Sequence, residues 1–307
     1  VSLARRLLLG ASRSQRLARA LRDRAFFRRA VRRFLPGEDL AAALDAAAAL
    51  ERDGIGAVLT QLGEQVSSAA EAAAVRDHYL GVLDRVRERG LAAELSVKLT
   101  HLGLDVDRAA CRDGLLALVA RAAATGSFVW IDMEESRYVD ATLELFRAAR
   151  AAHPTVGVCL QAYLHRTPAD LDALLPLDPA IRLVKGAYSE PAAVALGRKR
   201  DVNERYEALA ARLLERAARG RARPVFGTHD LRLVERIRAR ARALGLDPAG
   251  CEVHMLYGVR TDAQRALARA GVRVRVLVSY GTAWFAWYLR RLAERPANVW
   301  FVVRNLV

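Results

Sequence analysis

The sequence predicts a closed (β/α)8 barrel carrying extra N-terminal helices. Short β-rich runs recur eight times, with helical stretches between them. Strands that alternate regularly with helices imply a parallel sheet, because each crossover lays its helix on a sheet face. A doubly wound dinucleotide-binding fold would place a GxGxxG after an early strand, and the chain has none. Eight units in 307 residues therefore fit a closed barrel better than an open sheet. With 53% apolar residues the chain can bury one large core.

Residues 1–50 are read as an N-terminal helical arm and 51–307 as the barrel. The first expected strand lies in GIGAVLTQLG (54–63) and the second in LAAELSVKLT (91–100). SFVWIDM (127–133) and VGVCLQAYL (156–164) follow, separated by the helical pattern SRYVDATLELFRAARAA. Strand five lies in IRLVKGAY (181–188), and DVNERYEALAARLLERAARG leads from it to RPVFGTHD (223–230). LRLVERIRARARALG then precedes CEVHMLYG (251–258), and VRVRVLVSY (272–280) completes the set. Each run is rich in β-branched or aromatic residues, which suit a pleated, buried surface.

The formal net charge is +15, which suits nucleic acid, an anionic membrane surface or anionic ligands. Much of it is local: residues 1–33 hold eleven arginines against one acid, Asp23. That segment is amphipathic and matches a transit peptide or a surface-lying helix in composition, but an arm packed on the domain is the preferred reading. Elsewhere arginine mixes with Asp and Glu, as on ordinary exposed helices. The three cysteines are isolated, which points to a reducing compartment without a disulfide framework. No run approaches 18 uninterrupted apolar residues, so a transmembrane helix is not expected.

Catalytic groups of such barrels sit at the C-terminal ends of the strands. Here those ends carry Lys98 and Thr100, Asp132 and Glu134, Gln161 and Tyr163, then Lys185, Gly186 and Tyr188, then Thr228, His229 and Asp230. Singly, each has an ordinary use: a lysine snorkels, a histidine is hydrogen-bonded in a core, and Thr or Asp caps the next helix. Converging on one face, they point to a site. The six histidines show no HExxH or HxH spacing and no CxxC occurs, so no metal site is expected. There is no P-loop, no GxSxG elbow and no RNA-stacking motif, and nucleic acid is not the expected partner. Cations, a few carboxylates, a glutamine and a Thr-His pair can hold an anionic substrate and a polar planar cofactor. They lack an obvious nucleophile, so the chemistry is expected to come from a cofactor.

Seven stretches then stand together: LSVKLTHLGLD (95–105), WIDMEESRYVDATL (130–143), GVCLQAYLHRT (157–167), RLVKGAYSEP (182–191), FGTHD (226–230), MLYGVR (255–260) and YLRRLAERP (288–296). In this order, across roughly residues 37–307, they resemble the monofunctional bacterial proline dehydrogenases, FAD-dependent enzymes on a distorted (β/α)8 barrel. The resemblance implies oxidation of L-proline to Δ1-pyrroline-5-carboxylate, with electrons passed to a quinone. It implies that Met133, Gln161, Arg182, Val184, Lys185, Gly186, Ala187, Thr228 and His229 hold FAD. Asp132 and Arg182 would be the catalytic pair, with Arg182 near the flavin N5 locus that accepts the hydride. Lys98, Tyr188, Arg290, Arg291 and Glu294 would hold the substrate, the adjacent arginines gripping its carboxylate as paired forks. The expected location is cytoplasmic, with peripheral contact on the inner face of the bacterial membrane as an alternative use of the basic arm.

Two positions depart from the family pattern. Strand eight usually reads R-x-Y-x-P-Y-G, whereas here RVLVSYG (275–281) puts Leu277 in the place of a tyrosine and Ser279 in that of the proline. Trp287 stands where tyrosine or phenylalanine is usual, and Tyr280 and Tyr288 are in another register. These changes raise a rival substrate, 4-hydroxyproline or another cyclic imino acid. A basic, non-catalytic protein that binds nucleic acid or membrane is the rival of a different class.

Overall fold

The strands close on one another in chain order. In the computed structural model, which describes residues 33–284, they are β1 (Gly56–Gln61), β2 (Ala93–Val97), β3 (Val129–Ile131), β4 (Val156–Gln161), β5 (Ala180–Val184), β6 (Arg223–Gly227), β7 (Glu252–Leu256) and β8 (Val274–Tyr280). Each is parallel to its neighbour, and β8 returns to β1 through six paired positions from Gly56↔Arg275 to Gln61↔Tyr280. The strands are shorter than the expected runs, chiefly at their C-terminal ends. β2 stops before Lys98, β3 before Asp132 and β5 before Lys185. Those ends are where the polar groups collect, at the mouth of the barrel.

The outer ring contains α2 (Ala69–Glu88), α3 (Arg108–Thr125), α4 (Val139–Ala152), α5 (Thr167–Leu174), α6 (Lys199–Ala217), α7 (Leu231–Ala243) and α8 (Thr261–Arg269). Local chemistry starts several of them: Ser68, Asp107 and Asp230 each accept a backbone N–H in the first turn of the helix they precede. Along α4 the buried residues Val139, Thr142, Leu143, Phe146 and Ala149 recur at three- and four-residue spacing and form the stripe laid on the barrel. A further helix, α1 (Leu40–Arg52), precedes β1, is capped by Asp39, and packs against β1 and β8. In a regular barrel that place belongs to the helix following β8.

Period-two alternation divides the apolar residues into two cores. Leu59, Leu95, Val158, Ile181 and Phe226 point outward under the helices and are fully buried or nearly so. Burial of each such side chain contributes about 1.5–3 kcal/mol. Val58, Trp130, Ala180 and Val225 fill the lumen, with Phe128 and Leu277 against them.

The lower lumen is ionic, a feature the sequence reading did not anticipate. Arg223 donates to both oxygens of Glu252, at 3.0 and 2.8 Å, and to Glu94 at 2.7 Å. Arg275 reaches the same two carboxylates, at 3.1 and 3.2 Å. Trp130 Nε1–H donates to Glu94 at 2.6 Å, and the His254 Nε2 lies 2.9 Å from Glu252. Potential ligand atoms of Glu94, Glu252 and His254 lie within 4.8 Å of one another, the one such group among the described residues. Its carboxylate oxygens are already engaged by guanidinium and indole donors, so the cluster is a closed salt-bridge layer.

Candidate active site

β2, β3 and β5 deliver Lys98, Asp132 and Arg182 to one place at the mouth. Arg182 pairs with Asp132 directly, and its Nη2 also donates to Ser96 Oγ at 2.8 Å. Ser96 in turn donates to Asp132 Oδ1 at 2.8 Å, and Lys98 Nζ stands 3.6 Å from Asp132 Oδ2. Arg182 is 5% exposed. Burial works to raise the Asp132 carboxyl, but the charges of Arg182 and then Lys98 hold it below the usual carboxylate range. Within this trio two cations face one carboxylate, which leaves one positive charge fit for an anion.

Glu134 and Gln161 brace the next sector. Thr100 donates its backbone N–H at 3.1 Å and its hydroxyl at 2.6 Å to the Glu134 carboxylate. Burial nevertheless raises the Glu134 carboxyl above its ordinary value. Gln161 Nε2 donates to the carbonyls of Met133 and Glu134, both at 3.2 Å. Since both partners are acceptors, the amide must present its NH2 to them. Its Oε1 is left buried, with no hydrogen-bond partner among the described residues. Such an orphan acceptor suits a ligand N–H.

The loop after β5 is shaped by Gly186, at φ +108°. A Cβ there would lie 2.1 Å from the Tyr163 ring, so the glycine is required by its backbone conformation and by Tyr163 beneath it. Farther along, Glu190 receives the backbone N–H and the hydroxyl of Ser136, both at 2.7 Å, and ties this loop to the one after β3. Val184 and Tyr188 are half-buried and Ala187 is exposed.

Past β6, Asp230 both caps α7 and pairs with Lys185 Nζ at 3.0 Å. Burial opposes ionisation of Asp230, while the Lys185 hydrogen bond and charge hold its carboxyl below the ordinary value, with Lys199 adding its charge. Thr228 Oγ1 accepts the Asp230 N–H at 3.2 Å. His229 Nε2 accepts the backbone N–H of Leu256 at 2.9 Å, which assigns its proton to Nδ1.

The structure thus brings Lys98, Asp132, Met133, Gln161, Arg182, Val184, Lys185, Gly186, Ala187, Tyr188, Thr228 and His229 to one end of the barrel. Arg290, Arg291 and Glu294 lie outside the described residues, as does Trp287. Leu277 faces the lumen beside Val58 and Trp130. Tyr280 faces the other way and holds His78 Nε2 at 2.8 Å, so it cannot take the place of the tyrosine replaced by Leu277. Ser96, Lys199 and the Ser136–Glu190 tie were not singled out from sequence. Ser96 had a readable signal, an inward polar residue two positions before Lys98 on the same strand face.

A parallel barrel whose strand ends gather cations, carboxylates and an orphan buried acceptor at one mouth has the layout of a barrel enzyme. The profile of the proline dehydrogenase family matches residues 43–304. A proline dehydrogenase of Deinococcus radiodurans is 38% identical over 282 residues, covering 90% of this chain and 89% of that one. Proline dehydrogenase 1 of Bacillus subtilis is 35% identical over 276 residues, with 90% of each chain covered. Among solved structures, proline utilization A of Bdellovibrio bacteriovorus inactivated by N-propargylglycine superposes with TM-score 0.83 at 22% identity. It covers 95% of this chain, whereas this chain spans only 36% of it. Proline utilization A of Bradyrhizobium japonicum gives TM-score 0.75 at 26% identity, with 92% of this chain and 33% of that one covered. The chain belongs to the proline dehydrogenase family, and so to the oxidoreductases.

Proposed function

We propose that the protein oxidises L-proline to Δ1-pyrroline-5-carboxylate with FAD as cofactor. The observation that carries the reading is the surplus positive charge of Lys98, Asp132 and Arg182 at the mouth of a barrel of this family. Bound FAD supplies a two-electron acceptor for the hydride from the substrate. The ring nitrogen gives up a proton as the adjacent C5 loses that hydride, and a C=N bond forms between them.

The residues' work is binding and orientation. The surplus charge attracts the substrate carboxylate, and Lys98 stands where it can contribute to holding it. Arg290 and Arg291 are the proposed clamp, Glu294 their counter-charge, and Tyr188 a wall of the substrate site. Gln161 Oε1 would accept an N–H of the flavin ring. Met133, Val184, Lys185, Gly186, Ala187, Thr228 and His229 would complete the cradle, with Lys185 and Lys199 supplying positive charge for the diphosphate. Arg182, held rigidly by Asp132 and Ser96, would keep a fixed positive charge beside the reacting centre.

Electrons would leave to a quinone, and the Arg-rich segment 1–33 would dock on an anionic bilayer surface. No helix among the described residues is long and apolar enough to cross a membrane. A second reading, preference for 4-hydroxyproline or another cyclic imino acid, is favoured by Leu277, an apolar side chain at the lumen wall. The decisive experiment records the visible spectrum of the purified protein before and after anaerobic L-proline. Flavin bands that bleach support the reading. Bands that persist with proline but bleach with trans-4-hydroxyproline favour the second, and no flavin even after incubation with FAD refutes both.

A further inference from the structure

Two sets of charges share the lumen, part-buried to buried. The upper set, Lys98, Arg182 and Asp132, carries one net positive charge, and the lower, Arg223, Arg275, Glu94 and Glu252, carries none. Only short distances separate them. Glu94 and Ser96 lie on the same face of β2, two residues apart, which places them about 7 Å from each other. Arg182 is bonded to Ser96, so a second carboxylate lies one strand repeat below its guanidinium. Burial opposes the charge on Arg182, Asp132 and then Cys159 favour it, and Glu94 adds a smaller pull in the same direction.

Trp130 lies in contact with both sets. It is fully buried, its ring centroid is 5.3 Å from Arg182 Cζ and 5.2 Å from Arg223 Cζ, and its Nε1–H is spent on Glu94. The place is built for an indole. Gly157 is the paired residue on β4, and a Cβ there would lie 2.5 Å from Trp130 Cζ3. We infer that Trp130 is a positioning residue that keeps Arg182 on Asp132 and off Glu94. It offers Arg182 a π face in place of a second carboxylate, and it gives one Glu94 oxygen a donor that does not leave. Without it Arg182 drops to Glu94, and Asp132 is left with Lys98 alone as its cationic partner. The surplus charge is then in the lower lumen, where no substrate carboxylate reaches it.

The inference rests on the proposed function for its kinetic consequence but not for its geometry. The test compares crystal structures and kinetics of the holoenzyme with those of Trp130→Leu and the double variant Trp130→Leu/Glu94→Gln. In Trp130→Leu, Arg182 is expected on Glu94, with KM for L-proline raised tenfold or more. In the double variant the competing carboxylate is gone, Arg182 returns to Asp132, and KM recovers at least partway. A merely space-filling tryptophan would give no such rescue. Arg182 still on Asp132 in Trp130→Leu overturns the inference, as does a double variant no better than the single one. Should Trp130→Leu not fold, Gly157→Ala displaces the indole while keeping it. Arg182 drawn away from Asp132 there supports the inference, and Arg182 unmoved beside a displaced indole overturns it. If the unmodified protein does not oxidise proline, the proposed function fails and the crystallographic contacts of Arg182 still decide this point.

Discussion

Acid should destabilise this barrel through His101 as pH falls below about 6.5. His101 follows β2 at the mouth, is 8% exposed, and its Nδ1 is buried with no partner among the described residues. Its ring lies so close to Gly63 that a Cβ there would stand 2.2 Å from Nε2. Burial, and then the nearby charge of Lys98, push its pKa down from 6.5 to about 4. A histidine depressed in the folded state stays neutral there while the unfolded chain takes up protons, so stability falls as pH drops from about 6.5 towards 4. Linkage converts that shift into a loss of about 2 kcal/mol at pH 5 and about 3 kcal/mol near pH 4. The perturbation is His101→Gln, which is polar and does not titrate. Urea unfolding followed by circular dichroism at pH 7.5 and pH 5 gives the difference for each protein. The wild type should lose about 2 kcal/mol more than His101→Gln over that interval, whatever the absolute stability of the variant. Equal losses in the two proteins would refute the reasoning.

Other substitutions test the mouth. Asp132→Asn leaves Arg182 buried without its main counter-charge and should cost about 3–5 kcal/mol by denaturant unfolding. Because the Asp132 carboxyl is depressed in the fold, its stabilisation holds above the ordinary carboxylate pKa and is lost as pH falls through the folded value, so the variant should show a shallower acid limb. Glu134 has the opposite sign: its raised carboxyl favours the fold at low pH and loses that contribution as pH rises above the ordinary carboxylate value, so Glu134→Gln should flatten the stability curve there. Gly186→Ala forces a side chain into positive φ and onto Tyr163; a loss of roughly 2 kcal/mol or more in melting or unfolding is expected, together with reduced flavin content. Lys185→Met breaks a part-exposed pair and should change stability by less than about 1 kcal/mol while flavin retention drops, measured by absorbance after gel filtration.

The local pattern of the sequence was enough to determine the barrel. All eight strands fall in the expected β-rich runs, with β5 beginning one residue earlier, because alternation and strand–helix order are properties of contiguous residues. The strand-end polar set was legible for the same reason, since the fold sends every C-terminal end to one face. Which of those groups touch was not. Ser96 and Arg182 are 86 positions apart, and Arg223 and Glu94 are 129 apart. Only closure of the sheet makes them neighbours. A charged residue inside a strand reads in sequence as an exception to the apolar pattern, yet Glu94, Arg223 and Glu252 lie inward because their partners arrive from across the lumen. Gly186 shows the same division: its presence was visible, but its cause, the Tyr163 ring, came from another strand's loop. Sequence determined which residues can form each element and which end they reach, because those follow from short-range periodicity. Tertiary structure decided partners, protonation and the separation of the two charged sets, because those depend on distances through space.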